Sequence, residues 1–469
     1  MTRYRDLADE LAALITTGTL RTGERVPSVR DLVKQHHISP ATAMRAYEVL
    51  ESKALIEARP RSGYYVSDAW RRQVPAPRHS RPPSRSTSVE INELVFDILA
   101  STRQRDIVPL GSAFPSPTLF PWAQLARFLG SSARHLDPWD TVQSLPPGCE
   151  ELRRQIARRY LLSGASVKTD EIIITSGALE ALNLALAVLT RPGDIVAIES
   201  PTFYACLQAI EAAGLKALEI PTHPVHGVDI GALQEAISKH NIRACWFMTS
   251  FQNPLGATMP DERKRDLVKL LAQHAIPLIE DDVYAELYFD DVRPKASKSF
   301  DSKGLVLNCG SFSKCLAPGY RLGWVAAGRF AEAIQRRKII STLATSMPIQ
   351  EGIASMLRHD GVDQHLAALR LALQRQQTQM LEAIKRHFPA GYRLAPAHGG
   401  YFVWIELPTH VDSMALREAA LQADISVAPG PMFSARRAFR NCLRINCGHP
   451  FTPVVERAVA ELARLAARG

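Results

Sequence analysis

Gly304-Leu305-Val306-Leu307 runs on through Gly310 into Ser311-Phe312-Ser313-Lys314, and on this stretch the fold turns. It reads as a buried strand that ends beside a lysine, with the turn Pro318-Gly319-Tyr320-Arg321 close behind. Working outward, similar short apolar runs are Ile172-Ile173-Ile174-Thr175, Ile195-Val196-Ala197-Ile198 and Cys245-Trp246-Phe247-Met248. Pro277-Leu278-Ile279 and Leu322-Gly323-Trp324-Val325-Ala326 continue the series, and helical stretches separate most of them. Strands alternating with helices predict a mostly parallel sheet covered by helices. Such sheets collect ligands at the C-terminal ends of their strands, where Lys314 falls. The chain is helix-rich after about residue 330, then carries strands around 401–407 and 442–446, which predicts a smaller C-terminal subdomain. No internal repeat is visible.

A lone lysine is ordinarily a solvated surface charge, but the serines and the arginine turn around Lys314 reverse that reading. Thr175-Ser176-Gly177-Ala178-Leu179 follows a strand and opens a helix over 180–189, so its amides and the helix dipole make an anion site. Alone, such a junction is most often structural; Ser311, Ser313 and the fork of Arg321 add donors that favour a phosphate. Asp281, in Glu280-Asp281-Asp282-Val283-Tyr284, stands at a strand end, and Tyr284 follows it by three residues. Pyridoxal 5′-phosphate (PLP) requires this set: a lysine to form an imine, a carboxylate for the pyridinium nitrogen, a phenol for the ring oxygen, and phosphate donors. Asn253, in Asn253-Pro254-Leu255-Gly256, is the other candidate for that oxygen. Phe203 offers a flat face for stacking, core packing being its bland alternative. Arg444 sits in the apolar strand Leu443-Arg444-Ile445-Asn446, where an unpaired charge is costly. Its partner is either a ligand carboxylate or a structural acid. Ser311-Phe312-Ser313-Lys314 also fits the S-x-x-K of serine β-lactamases, but no S-D-N or K-T-G follows.

The N-terminus is organised differently. Tyr4, Leu7, Ala8, Leu11, Leu14 and Ile15 form one helical stripe, which Gly18 and Gly23 end. Ser28 precedes a second helix, and Ser39-Pro40 opens a third with an N-cap and a proline at the first helical position. Ala43, Ala46, Tyr47 and Leu50 make its buried face. Segments 55–59 and 64–66 flank Pro60-Arg61-Ser62-Gly63 as a hairpin. Three helices and a hairpin predict a winged helix-turn-helix over residues 1–69. Thr42 and Arg45, opposite the buried face, are candidates for the major groove, with Ser39 on phosphate and Arg30 on backbone. Arg59, Arg61, Ser62 and Gly63 would lay the wing along the minor groove. A monomer reads one half-site, so a homodimer on a double-stranded operator is expected. Residues 70–88 carry four prolines beyond residue 74, five arginines and no acid, and predict a linker.

Composition bounds the rest. The 469 residues call for two or three domains, and a net charge of +9 permits nucleic-acid binding without establishing it. Seven scattered cysteines, never spaced C-x-x-C, read as free thiols in a reducing compartment. No H-E-x-x-H is present, so no metal is expected. Neither a signal peptide nor a run of the roughly 20 apolar residues a membrane helix needs is found, which predicts a cytoplasmic protein with no membrane contact.

The ordered motifs from Gly177 to Arg444 resemble those of fold-type-I PLP enzymes of the aminotransferase superfamily, and the N-terminal module resembles the GntR family. The whole chain is similar to the MocR-type, aminotransferase-like GntR regulators. This resemblance implies that Lys314 carries the internal aldimine, Asp281 pairs with the ring nitrogen, and Tyr284 and Asn253 contact the ring oxygen. It also implies that Phe203 stacks, that Gly177, Ala178, Ser311, Ser313 and Arg321 hold the phosphate, and that Arg444 takes a carboxylate. The PLP-binding part would span 89–469, with a large subdomain at about 105–330 and a small one at about 331–469 plus its N-terminal segment. Two departures stand out. Val142-Gln143-Ser144-Leu145-Pro146-Pro147-Gly148 lacks the tyrosine that in the family often reaches the neighbouring subunit's phosphate, and Ala54 replaces a glycine usual before the wing.

The function expected is transcription regulation, with PLP, an amine or an amino acid sensed through Lys314. A working aminotransferase with an autoregulatory DNA module is the alternative, and a scaffold using PLP only for stability is a third.

Overall fold

The computed structural model describes residues 3–59, 62–67, 74–101, 106–139, 145–359, 361–395 and 398–468. Helices α1 (Arg3–Thr16), α2 (Val29–His36) and α3 (Pro40–Ser52) and the hairpin β1 (Ile56–Arg59)–β2 (Gly63–Val66) form the N-terminal module. Its core gathers Leu7, Leu11 and Ile15 of α1, Leu32 of α2, Ala43, Tyr47 and Leu50 of α3, and Ile56 and Val66 of the hairpin. The expected caps are present. Ser28 accepts from the amide of Asp31, whose carboxylate accepts the Ser28 amide in return, and Ser39 accepts from the amide of Thr42. At Ala54 the chain turns left-handed, with φ 55°, to leave α3 for the wing.

The second unit is built on one mixed sheet. Its path is β3 (Thr87–Ser88), β6 (Lys216–His223), β5 (Ile195–Ser200), β8 (Ile242–Phe247), β9 (Leu278–Asp281), β10 (Val306–Ser311), β11 (Gly323–Ala326) and β4 (Ile172–Thr175), with the short β7 (Gly227–Val228) paired to β6. β6, β5, β8, β9 and β10 run parallel, and β11 is antiparallel to both neighbours. Every residue of β4, β9 and β10 is buried, which is why their apolar residues come in runs rather than alternating with polar ones. Their C-terminal ends share one edge of the sheet, so Thr175, Asp281 and Ser311 open onto the same side.

A smaller four-stranded antiparallel sheet follows the order β12 (Arg393–Leu394), β13 (Phe402–Glu406), β15 (Cys442–Asn446), β14 (Ala428–Pro429). Helices Gly361–His387, Ser413–Gln422 and Pro453–Ala466 pack on it in a separate core. Leu110 joins that core and Val108 bridges to Ile425, so the chain visits the small subdomain between β3 and the rest of the large sheet.

Residues 74–88, expected to run free as a linker, lie along the second unit instead. The Pro75 carbonyl accepts from Leu394, the Arg78 amide donates to Glu406 (2.8 Å), and β3 adds antiparallel to β6. Val74 packs against the core of the small subdomain and Pro77 is buried, while backbone and polar bonds fix the rest of the segment. The N-terminal module rests on helix Gly361–His387. Arg375 pairs with Glu51 at 3.3 Å, the Thr378 hydroxyl donates to the Ser52 carbonyl, and Arg5 pairs with Asp291.

Candidate cofactor and ligand site

Strand β10 ends at Ser311, and one turn later Lys314 points into the cleft between the two subdomains. Its ammonium donates to the Ala113 carbonyl at 3.0 Å and lies 4.2 Å from the centre of the Phe114 ring. The amine is pushed down to about 7, chiefly by burial and then by the Arg444 guanidinium, with Asp281 opposing them. Near neutral pH a large fraction is therefore the free amine, the form that attacks a carbonyl.

The three acids at the end of β9 have different surroundings. Glu280 is held by Thr249 (2.6 Å), the amide of Ser297 (2.6 Å) and Asn308 (2.8 Å), a structural arrangement. Asp281 is 1% exposed, and its Oδ1 has no partner. Burial raises its carboxyl to about 7, against the opposing pull of the Val283 amide and Lys314. Asp282 is likewise raised to about 7 by burial and by Glu280 beside it, with Arg293 opposing.

Tyr284 is buried and meets Tyr401 edge-on, ring centres 5.6 Å apart; burial raises its phenol. Asn253 accepts from Arg444 at 3.2 Å through Oδ1, and its buried Nδ2 is unpartnered. Phe203 precedes helix Tyr204–Ala212, half-buried and 4.7 Å from the Tyr204 ring. At the end of β4, Gly177 takes φ 89° and opens helix Ala178–Leu189 with no side-chain cap, which leaves its first amides free for an anion. Arg321 donates weakly to the Ser176 carbonyl at 3.4 Å, and a Cβ on Gly177 would stand 2.8 Å from its Nη2. The Ser311 hydroxyl lies 3.0 Å from that of Ser313 and accepts from the Ser313 amide. Arg321 thus lies against the Gly177 turn, and Ser311 and Ser313 bond each other at the end of β10.

Arg444 is fully buried on β15, in register with Trp404 of β13. Its Nη2 donates to the carbonyls of Gly111 (2.7 Å) and Ser112 (3.1 Å), and its guanidinium lies 4.3 Å from the Phe402 ring centre. Nε has no partner. Among the described residues no Asp or Glu lies within ion-pair distance, so the structural-acid alternative finds no support.

Sequence reasoning missed the 111–114 segment and Tyr401. The segment contributes carbonyl oxygens, which every residue carries and no motif reveals. Gly399-Gly400 before Tyr401 was a readable sign of close approach: a Cβ on Gly399 would stand 2.3 Å from the Phe251 ring.

In the DNA module, Arg30 is exposed on α2 and Ser39 on the first turn of α3, its hydroxyl 2.8 Å from that of Thr42. Arg45 lies elsewhere, 5.3 Å over the Tyr4 ring of α1 and beside a cavity shared with Asp290 and Asp291 of the second unit. Ala41 and Met44 share the exposed side of α3. On the wing, Arg59 stacks on Tyr65 (4.3 Å) and pairs with Glu57, Ser62 bonds Tyr65, and Gly63 takes φ 103°. Arg61 and residues 142–144 lie outside the described residues.

Residues 3–66 match the bacterial regulatory proteins of the gntR family, and residues 138–462 match aminotransferase class I and II. The HTH-type transcriptional regulator YdcR of Escherichia coli (strain K12) is 44% identical over 99% of both chains. YjiR of the same strain is 38% identical over 98% of each. Among solved structures, the α-aminoadipate aminotransferase LysN of Thermus thermophilus, complexed with N-(5′-phosphopyridoxyl)-L-leucine, is 28% identical with a TM-score of 0.72. That match covers 80% of this chain and 93% of LysN. Fold and site thus define a helix-turn-helix regulator fused to an aminotransferase-like domain of fold type I. The chain belongs to the MocR-type subfamily of the GntR transcription regulators.

Proposed function

We propose that this regulator binds PLP through Lys314 and reports an amine or amino acid to DNA. The observation that carries the reading is Arg444: a buried guanidinium with no acid beside it among the described residues, close enough to Lys314 to help push that amine down to about 7. An unpaired buried charge is costly, and a ligand carboxylate offsets that cost.

The residues fit the cofactor. Asp281 Oδ1 and Asn253 Nδ2 are buried polar atoms without partners among the described residues, and glycine at 177 lets the Arg321 guanidinium approach the start of helix Ala178–Leu189. PLP would supply an aldehyde for amines and a conjugated ring that draws electrons from the bond formed there. Asp281 would hold the ring nitrogen protonated, Asn253 and Tyr284 would bind the ring oxygen, and Phe203 would lie against the ring. The serines, Arg321 and the first amides of helix Ala178–Leu189 would hold the phosphate. Arg30, Ser39, Thr42, Arg59, Arg61, Ser62 and Gly63 would contact operator DNA, Arg45 less directly because of its place beside Tyr4. A homodimer, acting in the cytoplasm, would supply two half-sites.

A second reading, turnover as an aminotransferase, is supported by one observation: Asp281 and Arg444, both buried, act electrostatically on the Lys314 amine. The two separate in the visible spectrum of purified protein titrated with amino acids and amines, each followed by a 2-oxo acid. A band that shifts with one ligand and stays shifted supports sensing. A band that bleaches and returns with oxo acid shows amino transfer.

A further inference from the structure

The 74–88 segment joins the DNA module to the second unit, and it is fastened to both subdomains of that unit within a few residues. On the small subdomain, the Arg78 amide donates to Glu406 (2.8 Å) and its Nε lies 3.4 Å from the same carboxylate. Leu394 donates to the Pro75 carbonyl (3.0 Å), and Arg393 to that of Ala76 (3.3 Å). On the large subdomain, the Thr222 amide of β6 donates to Ser80 (2.8 Å), whose hydroxyl donates back to the Thr222 carbonyl (3.4 Å). Further along, Thr87 and Ser88 pair with Ala217 and Lys216, and Arg436 bonds Thr87 (2.8 Å). The step from the small antiparallel sheet to the large sheet thus falls within residues 78–80; beyond it Arg436, whose loop is itself tied to Glu219 of β6, also bonds the carbonyls of Pro83 and Arg85.

Glu406 and Arg444 ride on the same strand pair. In the β13–β15 register, Trp404 faces Arg444 and Glu406 faces Cys442. Anything that moves Arg444 relative to the large sheet moves Glu406 with it, since paired strands shift as one body.

We propose that residues 75–88 are a mechanical strap: movement of the small subdomain when a ligand engages Arg444 pulls the strap at Glu406 against its anchor at Thr222, and the pull repositions the DNA module. This rests on the sensing function proposed above. It adds a route that neither the ligand site nor the DNA-reading face contains.

The test uses the full-length dimer in two states, loaded with PLP or with N-phosphopyridoxyl-L-leucine, and DNA selected by the protein from a random pool. Hydrogen exchange at the Arg78, Leu394 and Thr222 amides is compared between states, together with DNA affinity. The strap requires the Arg78 and Leu394 amides to change their exchange relative to Thr222. It also requires the change in DNA affinity, expected to be about fivefold or more, to fall below twofold in Glu406→Ala with the visible spectrum retained. Arg81→Ala, on the exposed side of the strap, keeps the full response. Unequal DNA affinities with unchanged exchange at all three amides overturn the strap and leave sensing intact. So does a Glu406→Ala protein with the full response, which would route coupling through the Arg5–Asp291 face. Equal wild-type affinity in both states sinks sensing and the strap with it.

Discussion

Lys314 and Tyr401 share one acceptor: the carbonyl oxygen of Ala113 lies 3.0 Å from the lysine Nζ and 3.0 Å from the tyrosine hydroxyl. The lysine is thereby tied to a segment far upstream, whose preceding carbonyls, Gly111 and Ser112, are held by Arg444. One short piece of backbone connects the amine that would receive the cofactor to the guanidinium that would receive the ligand.

With the amine pushed down to about 7, attachment of PLP should speed up as pH rises. The free-amine fraction gives about a fivefold gain between pH 6 and 7 and less than twofold from 7 to 8. Stopped-flow absorbance checks this, and Lys314→Ala should show no covalent visible band at any pH.

Asp281 should matter in two separable ways. Losing a charge-assisted bond worth about 1.5–3 kcal/mol, Asp281→Asn should bind PLP about 10- to 100-fold more weakly by fluorescence titration. Its folded carboxyl is raised above the unfolded value, so its stabilising effect is present below about pH 4 and lost as pH climbs through 7. Urea midpoints of the cofactor-free protein should therefore drop between pH 5 and 8, and drop less in the variant.

Arg444→Met removes a costly buried charge but leaves the Gly111 carbonyl and Asn253 Oδ1 without this donor, so the fold should lose about 1–3 kcal/mol. Discrimination between an amino acid and its decarboxylated amine should collapse from more than about tenfold to about one. Spectral titration with such a pair reads both.

Ala54 holds a left-handed conformation that costs an L-residue about 1–2 kcal/mol. Ala54→Gly should stabilise the DNA module by about 1 kcal/mol, the gain reduced by glycine's freer unfolded chain. Thermal unfolding of the full chain, followed by the Tyr47 environment, would show it.

On DNA, Thr42→Ala should relax sequence preference at one base position, while Arg30→Ala should weaken binding to all sequences and lower the salt slope by about 1. Arg45→Ala should do less than either, given its place over Tyr4.

The parallel strands were legible because burial on both faces demands unbroken apolar runs, and the winged helix because its caps and stripes are local. β6 was not picked out: in Lys216-Ala217-Leu218-Glu219-Ile220 a buried glutamate interrupts the run, and Ser434, at 2.8 Å from a distant loop, satisfies it. The strap was hidden for the opposite reason. Its composition is that of a free linker, and its bonds go to partners hundreds of residues away.

Sequence alone determined the two-part architecture, the order of the chemical groups and the charge type each brings, since these follow from residue identity and local periodicity. Tertiary structure decided which groups meet. Asp281 and not Glu280 has a free carboxylate oxygen, Arg444 lacks an acid among the described residues, Arg45 turns to Tyr4, and residues 74–88 bind both subdomains. Each depends on burial and on partners distant in the chain, and none is a property of the residue itself.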